Sequence, residues 1–387
     1  MIYVKNIKAI KNAQVVLERG ILWDGVIIIE DDKIAQVGSC REIEIPIGAD
    51  VIDANGSYVG PGFIDIHVHG GNGYSDCYEV KEAAEFFLEH GSTSILATPD
   101  YHMDRETTLE VLGNIKAAIP NLPSVKGIYM EGPYTNPIYG SHSDTNPWRC
   151  GVSPEDFIPI VDAAGILAKV WTVAPEREDL LPFLEYARKV NPDVAFAVGH
   201  SHATPMQIRA LGKYRPTIET HTMNATHRVA SHSGGTRGYG PDEYCLKESD
   251  VYCELISDSC GIHVHPELQQ LIIHCKGIDK VVLITDSTRH NNPAPERLKH
   301  VPDLNFDPNG GIAGSKMTME LACRNIMTHT NCGIAQAFYM AATTPARAIG
   351  MDDEIGSIVA GKKADLVFVD DKFNIKRVML NGGIVNE

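Results

Sequence analysis

Two histidines separated by one residue, His67 and His69, close a short apolar run that begins at Phe63. Further along, a single ionisable group follows each of several similar runs: Glu131, His200, His221 and Asp286. Alternate residues of a strand point the same way, so His67 and His69 are expected to share one face. Imidazoles gathered with a carboxylate form a borderline-soft donor set suited to Zn²⁺, with Fe²⁺ or Mn²⁺ as alternatives. Each fragment alone says little. An H-x-H pair is common by chance, a lone strand-end histidine is more often a hydrogen-bonded structural residue, and Glu131 beside Gly132-Pro133 would serve as a loop cap. Position gives the set its weight, because five strand ends in order carry ligand or proton-transfer chemistry.

Those groups need a scaffold that brings strand ends together. Between residues 60 and 345 the chain alternates apolar runs with helical patterns. Candidate strands cover 63–67, 94–98, 127–130, 169–173, 195–198, 217–220, 251–256 and 281–285, with helices such as 80–90 and 266–275 between them. Eight mostly apolar strands spaced by helices predict a closed parallel (β/α)8 barrel, whose functional side chains lie at the C-terminal strand ends. An open doubly wound sheet is the alternative, but no G-x-G-x-x-G follows an early strand. The flanks read differently. Short strands at 14–17, 26–30, 33–37 and 50–53, with Asp31-Asp32 as a tight turn, are matched by 364–369 and 376–380 near the other end. Neither set is large enough to stand alone, so 1–59 and 346–387 are expected to form one discontinuous β-sandwich domain around the barrel of 60–345.

Composition sets the outer limits. The 387 residues carry a net charge of −16, which argues against general nucleic-acid binding because that needs a basic surface. No apolar run approaches the roughly 20 residues of a membrane span, and the first ten residues lack a signal-peptide pattern. Nine cysteines without a C-x-x-C pair read as reduced thiols, so a cytoplasmic location is expected.

The motif set also resembles a known family. Pro61-Gly62-Phe63-Ile64-Asp65-Ile66-His67-Val68-His69-Gly70 is similar to the opening of amidohydrolase superfamily barrels. Glu131-Gly132-Pro133, His200-Ser201-His202-Ala203, His221-Thr222-Met223-Asn224-Ala225 and Thr285-Asp286 resemble its N-acetylglucosamine-6-phosphate deacetylase branch. The later stretches Ala341–Arg347 and Gly361–Leu366 are similar to that branch as well.

The resemblance implies one or two divalent ions held by His67, His69, Glu131, His200 and His221. Glu131 would stand where other members use a carboxylated lysine; Lys169 begins its strand rather than ending it. Asp286 is implied as general base and acid, and His142, after Ser141, as a donor to the reacting carbonyl and to substrate. Further substrate contacts are implied at His263, Ala313 and Gly314, and at the phosphate-binding pair Asn224 and Ala225. The family's phosphate arginine falls on His232 here, with Arg228 earlier and Arg237 later as the other candidates. The implied substrate is an N-acetylated amino sugar, phosphorylated in the family, and the implied assembly is a homodimer. A different N-acetylated sugar, such as N-acetylgalactosamine 6-phosphate or an unphosphorylated one, or another amide, stays open. A noncatalytic barrel ranks lower, because every ligand and Asp286 is retained.

Overall fold

The structure, a computed structural model, describes residues 6–140, 145–227 and 238–386. Its centre is the expected barrel. Eight strands, β1 (Phe63–Val68), β2 (Ser92–Ala97), β3 (Val125–Met130), β4 (Ala168–Val173), β5 (Ala195–Val198), β6 (Ile218–Glu219), β7 (Tyr252–Ile256) and β8 (Val281–Ile284), lie side by side in chain order. All neighbours pair in parallel. Hydrogen bonds close the ring between β8 and β1, from the Asp286 N–H to the His67 carbonyl (3.1 Å) and from the His69 N–H to the Ser287 carbonyl (2.8 Å).

The strands are apolar on both faces for the reason a barrel requires. One face packs outward on helices: Ile95, Ala97, Ile128, Met130, Trp171 and Val173 share a cluster with residues of the helices that follow β1 to β4. The other fills the interior, where Ile64, Ile66, Leu96, Tyr129, Val170, Ala197, Ile256 and Ile284 meet. β1 changes face along its length. Ile66 belongs to the interior cluster and Val68 to the helix-facing one. The pairing with β2 is irregular between Asp65 and Val68, and there His67 stacks on interior Tyr129.

Both ends of the chain enter one eight-stranded mixed sheet. Ile7–Leu17 pairs antiparallel with Gly20–Glu30 and parallel with Tyr58–Pro61. Tyr58–Pro61 in turn pairs antiparallel with Leu366–Val369, so the two ends meet strand to strand. The Asp31-Asp32 turn is present, with Glu30 opposite Lys33 and Asp31 left-handed. The first strand begins at Ile7 rather than at residue 14. Its register shifts around Asn12, a left-handed residue, and Ala13, which breaks the alternation that reveals a strand in sequence. Tyr58–Pro61, Gly383–Asn386 and the hairpin Leu304–Phe306 with Ile312–Ser315 are further strands that the residue pattern did not disclose. Among the described residues no helix is long and apolar enough to cross a membrane.

Candidate metal centre and active site

The chain leaves β5, β6 and β8 through His200, His221 and Asp286, and each has a positive φ, of 45°, 30° and 47°. A left-handed non-glycine residue costs about 1–2 kcal/mol and persists only where its surroundings enforce it. Here it turns the chain aside at once, directing the side chain into the barrel mouth. Hydrogen bonds on either side hold the turns: Asn224 N–H to His221 O, and Ser315 N–H to Asp286 O. Gly314 lies against the last turn. A Cβ there would meet the Asp286 carbonyl oxygen at 2.3 Å, and its φ of 64° also favours glycine.

The strand ends bring the six predicted groups into two clusters, His67 with His69 and Asp286, and Glu131 with His200 and His221. Glu131 faces both. Its Oε1 lies 2.8 Å from His200 Nε2, 3.2 Å from His221 Nε2 and 3.7 Å from His67 Nε2, while Oε2 lies 3.3 Å from His69 Nε2. Asp286 Oδ1 is 3.4 Å from His69 Nε2 and 4.0 Å from His67 Nε2. All six groups are buried or nearly so.

The hydrogen bonding fixes which imidazole nitrogen points inward. Nδ1 of His69 meets the Thr98 carbonyl (2.9 Å), that of His200 the Tyr139 carbonyl (3.1 Å), and that of His221 the Asn224 carbonyl (3.0 Å). His67 Nδ1 meets Glu254 Oε2 at 3.1 Å. A carbonyl or carboxylate only accepts, so each Nδ1 carries a proton and Nε2 is the nitrogen turned to the centre, where it would offer its lone pair to a bound cation. His200 Nε2 and His221 Nε2 then face each other at 3.1 Å, and His67 Nε2 is buried with no hydrogen-bond partner. Lone pairs so arranged repel unless a cation or proton lies among them. Donors about 2.0–2.1 Å from a tetrahedral zinc are spaced by about 3.3 Å, close to the separations here. The residues therefore fit a divalent cation in each cluster.

Charge points the same way. Burial disfavours ionisation of His67, yet Glu131 and Glu254 outweigh it and raise the imidazole to about 10. Burial likewise opposes charge on Asp286 and Glu131, but the surrounding imidazoles hold both carboxyls below the ordinary carboxylate range. The centre calls for positive charge.

A cavity opens above this centre, lined by His69, Glu131, His200, His221 and Asp286 together with Asn224, Ala225, Ala313 and Gly314. The sequence-derived contacts from β6 and from the loop after β8 thus face the same space as the ligands. His263 does not line it; its side chain is buried, with Nδ1 3.1 Å from Asp258 Oδ2. The inserted residues in Asp258-Ser259-Cys260-Gly261-Ile262-His263 form a turn, in which Asp258 also accepts the Ile262 and His263 N–H groups. Ser141, His142, Arg228, His232 and Arg237 lie outside the described residues.

Several residues of the site escaped the sequence reading. Asp100, just past β2, lines the cavity, and its Oδ1 lies 3.2 Å from His69 Nδ1. Tyr101, His102, Thr288 and His290 line it as well. Glu176, beyond β4, accepts from Ser201 Oγ (2.6 Å), the His202 N–H (3.0 Å) and Asn136 Nδ2 (2.9 Å), tying the loops after β3 and β5 together. Asp65 accepts from Thr285 Oγ1 at 2.5 Å, and burial pushes its carboxyl up to about 7. Asp100 and Glu176 follow strands as the predicted ligands do, so the same rule would have found them.

An N-acetylglucosamine-6-phosphate deacetylase from Bacillus subtilis (strain 168) is 27% identical, over 97% of this chain and 96% of the relative. An N-acetylgalactosamine-6-phosphate deacetylase from Escherichia coli O157:H7 is also 27% identical, over 95% and 97%. Among solved structures, a substituted N-acetyl-D-glucosamine-6-phosphate deacetylase from Mycobacterium smegmatis, in complex with N-acetyl-D-glucosamine-6-phosphate, superposes with a TM-score of 0.85 at 26% identity. It covers 99% of this chain and 100% of the other. The sequence profile of the amidohydrolase family matches residues 58–385, from the strand before β1 to the last strand of the terminal sheet. The chain belongs to the amidohydrolase family.

Proposed function

We propose that this chain hydrolyses the N-acetyl group of an amino sugar, with N-acetylglucosamine 6-phosphate as the first substrate and glucosamine 6-phosphate plus acetate as products. The observation that carries the reading is the shared carboxylate. Glu131 faces two imidazole clusters at once, and Asp286 stands on the cavity side of one of them. His67, His69 and Asp286 would hold one divalent cation and His200 and His221 another, with Glu131 toward both; zinc suits these donors best. Bound there, such cations polarise an amide carbonyl and make a water molecule more acidic.

The chain's own groups do the rest. Asp286 takes the proton of the attacking water as the new C–O bond forms at the acetamide carbon. It then delivers that proton to the nitrogen as the C–N bond breaks, because an amine leaves poorly as an anion. Burial keeps bulk water from competing for the proton. Asn224, Ala225, Ala313 and Gly314 offer backbone groups to the sugar. His142, as donor to the carbonyl oxygen, and Ser141, His232 and Arg237, as substrate contacts, complete the assignment from sequence; His263, buried against Asp258 and off the cavity, is not among the contacts.

The test is a panel of N-acetylated amino sugars with and without a 6-phosphate, scoring released acetate against new primary amine. Equal yields of both, highest for N-acetylglucosamine 6-phosphate, are expected from protein loaded with Zn²⁺. No release from any member would overturn the proposal. N-acetylgalactosamine 6-phosphate belongs in the panel, because the Escherichia coli relative is as similar as the Bacillus one. All nine cysteines are free, in keeping with a reducing cytoplasm. The homodimer implied by resemblance is read by sedimentation equilibrium.

A further inference from the structure

Three of the four imidazoles in the centre rest Nδ1 on a backbone carbonyl. His69 Nδ1 has the Asp100 carboxylate at 3.2 Å besides its carbonyl, whereas His67 Nδ1 rests on the carboxylate of Glu254, which neither the motif reading nor the family resemblance singles out. Glu254 lies in β7 between Cys253 and Leu255, and its side chain is fully buried. Oε2 accepts twice, from His67 Nδ1 and from the His221 N–H, each at 3.1 Å. Its backbone carbonyl accepts the Thr222 N–H at 2.8 Å. The ring it holds is also confined from the side. Tyr129 stacks on His67 with centroids 4.4 Å apart and planes 28° apart, and the tyrosine hydroxyl lies 2.9 Å from Thr220 Oγ1.

We infer that Glu254 is a positioning residue that sets the affinity of one cation and leaves the other unaffected. It holds the His67 ring with the proton on Nδ1, so that Nε2 faces Asp286 and Glu131. This rests on the reading of the centre as a two-cation site. A carboxylate behind a ligating imidazole fixes its tautomer and strengthens it as a donor, and loss of such a partner typically lowers cation affinity about 10–100-fold. The His221 ring takes no part in this, because Glu254 touches only its backbone N–H.

Glu254→Gln is the discriminating variant. Its amide oxygen can occupy the Oε2 position and keep both acceptances, so the fold survives, but the negative charge is gone. Protein stripped with a chelator is titrated with Zn²⁺ alone, comparing wild type, Glu254→Gln, His67→Ala and the double variant. Wild type should bind two ions. Glu254→Gln should weaken one step about 10-fold and leave the other unchanged, and His67→Ala should remove that same step. Adding Glu254→Gln to His67→Ala should then change nothing further.

Unchanged binding of both ions by Glu254→Gln would overturn the inference. Equal weakening of both steps, or further loss in the His67→Ala background, would overturn it too, by showing a general charge effect. Failure of wild type to bind any Zn²⁺ would instead remove the underlying two-cation reading, and the inference with it.

Discussion

Replacing Asp286 by asparagine keeps the size and shape of the side chain and removes its capacity to take a proton. The backbone should tolerate the change, because the φ of 47° at this position suits asparagine as well as aspartate. The main-chain bonds to His67 and Ser315 do not involve the side chain. Stability should therefore stay within about 1 kcal/mol of wild type, the range of a single net hydrogen bond. Catalysis should not. Loss of general acid–base help lowers rates about 10²–10⁴-fold, which at about 1.4 kcal/mol per decade adds roughly 3–5 kcal/mol to the barrier. In the proposed mechanism the same carboxylate serves both the attack and the departure, so the upper half of that range is expected. Cation content should fall by less than one equivalent, because the amide oxygen remains a donor in a cluster where His67 and His69 still converge. The assay is kcat for acetate release on the best substrate, measured beside elemental analysis and thermal unfolding. Turnover within a few-fold of wild type, in folded and cation-loaded protein, would remove Asp286 from the proton path. Loss of a full equivalent of metal with the activity would make it chiefly a ligand.

Three further outcomes follow from the same geometry. His67→Ala/His69→Ala should bind one Zn²⁺ fewer per chain by elemental analysis while keeping the ion at His200 and His221; unchanged stoichiometry would contradict a two-cation centre. Gly314→Ala should lower both kcat and Tm, because its Cβ would sit 2.3 Å from the Asp286 carbonyl oxygen at a left-handed position; wild-type values for both would show that the loop yields freely. Limited proteolysis should not release residues 1–59 as a stable fragment, because Tyr58–Pro61 pairs with Leu366–Val369 from the other end of the chain; a cooperatively folding N-terminal piece would contradict a shared terminal domain.

The barrel and its ligand shell were legible because each ionisable group interrupts an apolar run where a parallel strand must end. His200, His221 and Asp286 each stand two residues beyond their strands. Glu254 obeys a different rule. It sits within a buried strand, and its signal was the charge itself in Tyr252-Cys253-Glu254-Leu255-Ile256, since a carboxylate is rarely buried without a partner. Naming that partner required knowing that β7 and β1 share the barrel interior, which no local pattern states. Alternation along β1 correctly sent His67 and His69 to one site, but the change of face between Ile66 and Val68 depends on pairing with β2. The first terminal strand was seen only in part because its register shifts around Asn12 and Ala13 disturb the period of two.

The left-handed turns at His200, His221 and Asp286 carry a consequence for how such a protein can change. Each position would be more relaxed as glycine, by about 1–2 kcal/mol of backbone energy. Each would then lose the group that the centre uses. A mutational search rewarding only heat resistance of the cation-free chain would therefore be drawn toward these three positions, and would dismantle the enzyme while strengthening the fold. Cation binding opposes that drift, because a ligand held only by the folded state adds stability in proportion to RT ln(1 + [L]/Kd), about 2.7 kcal/mol at a hundredfold excess over Kd. Where a divalent cation that fits the centre is abundant enough for this gain to exceed the strain, the strained version would be the more durable one, and selection for persistence alone would keep the histidines in place.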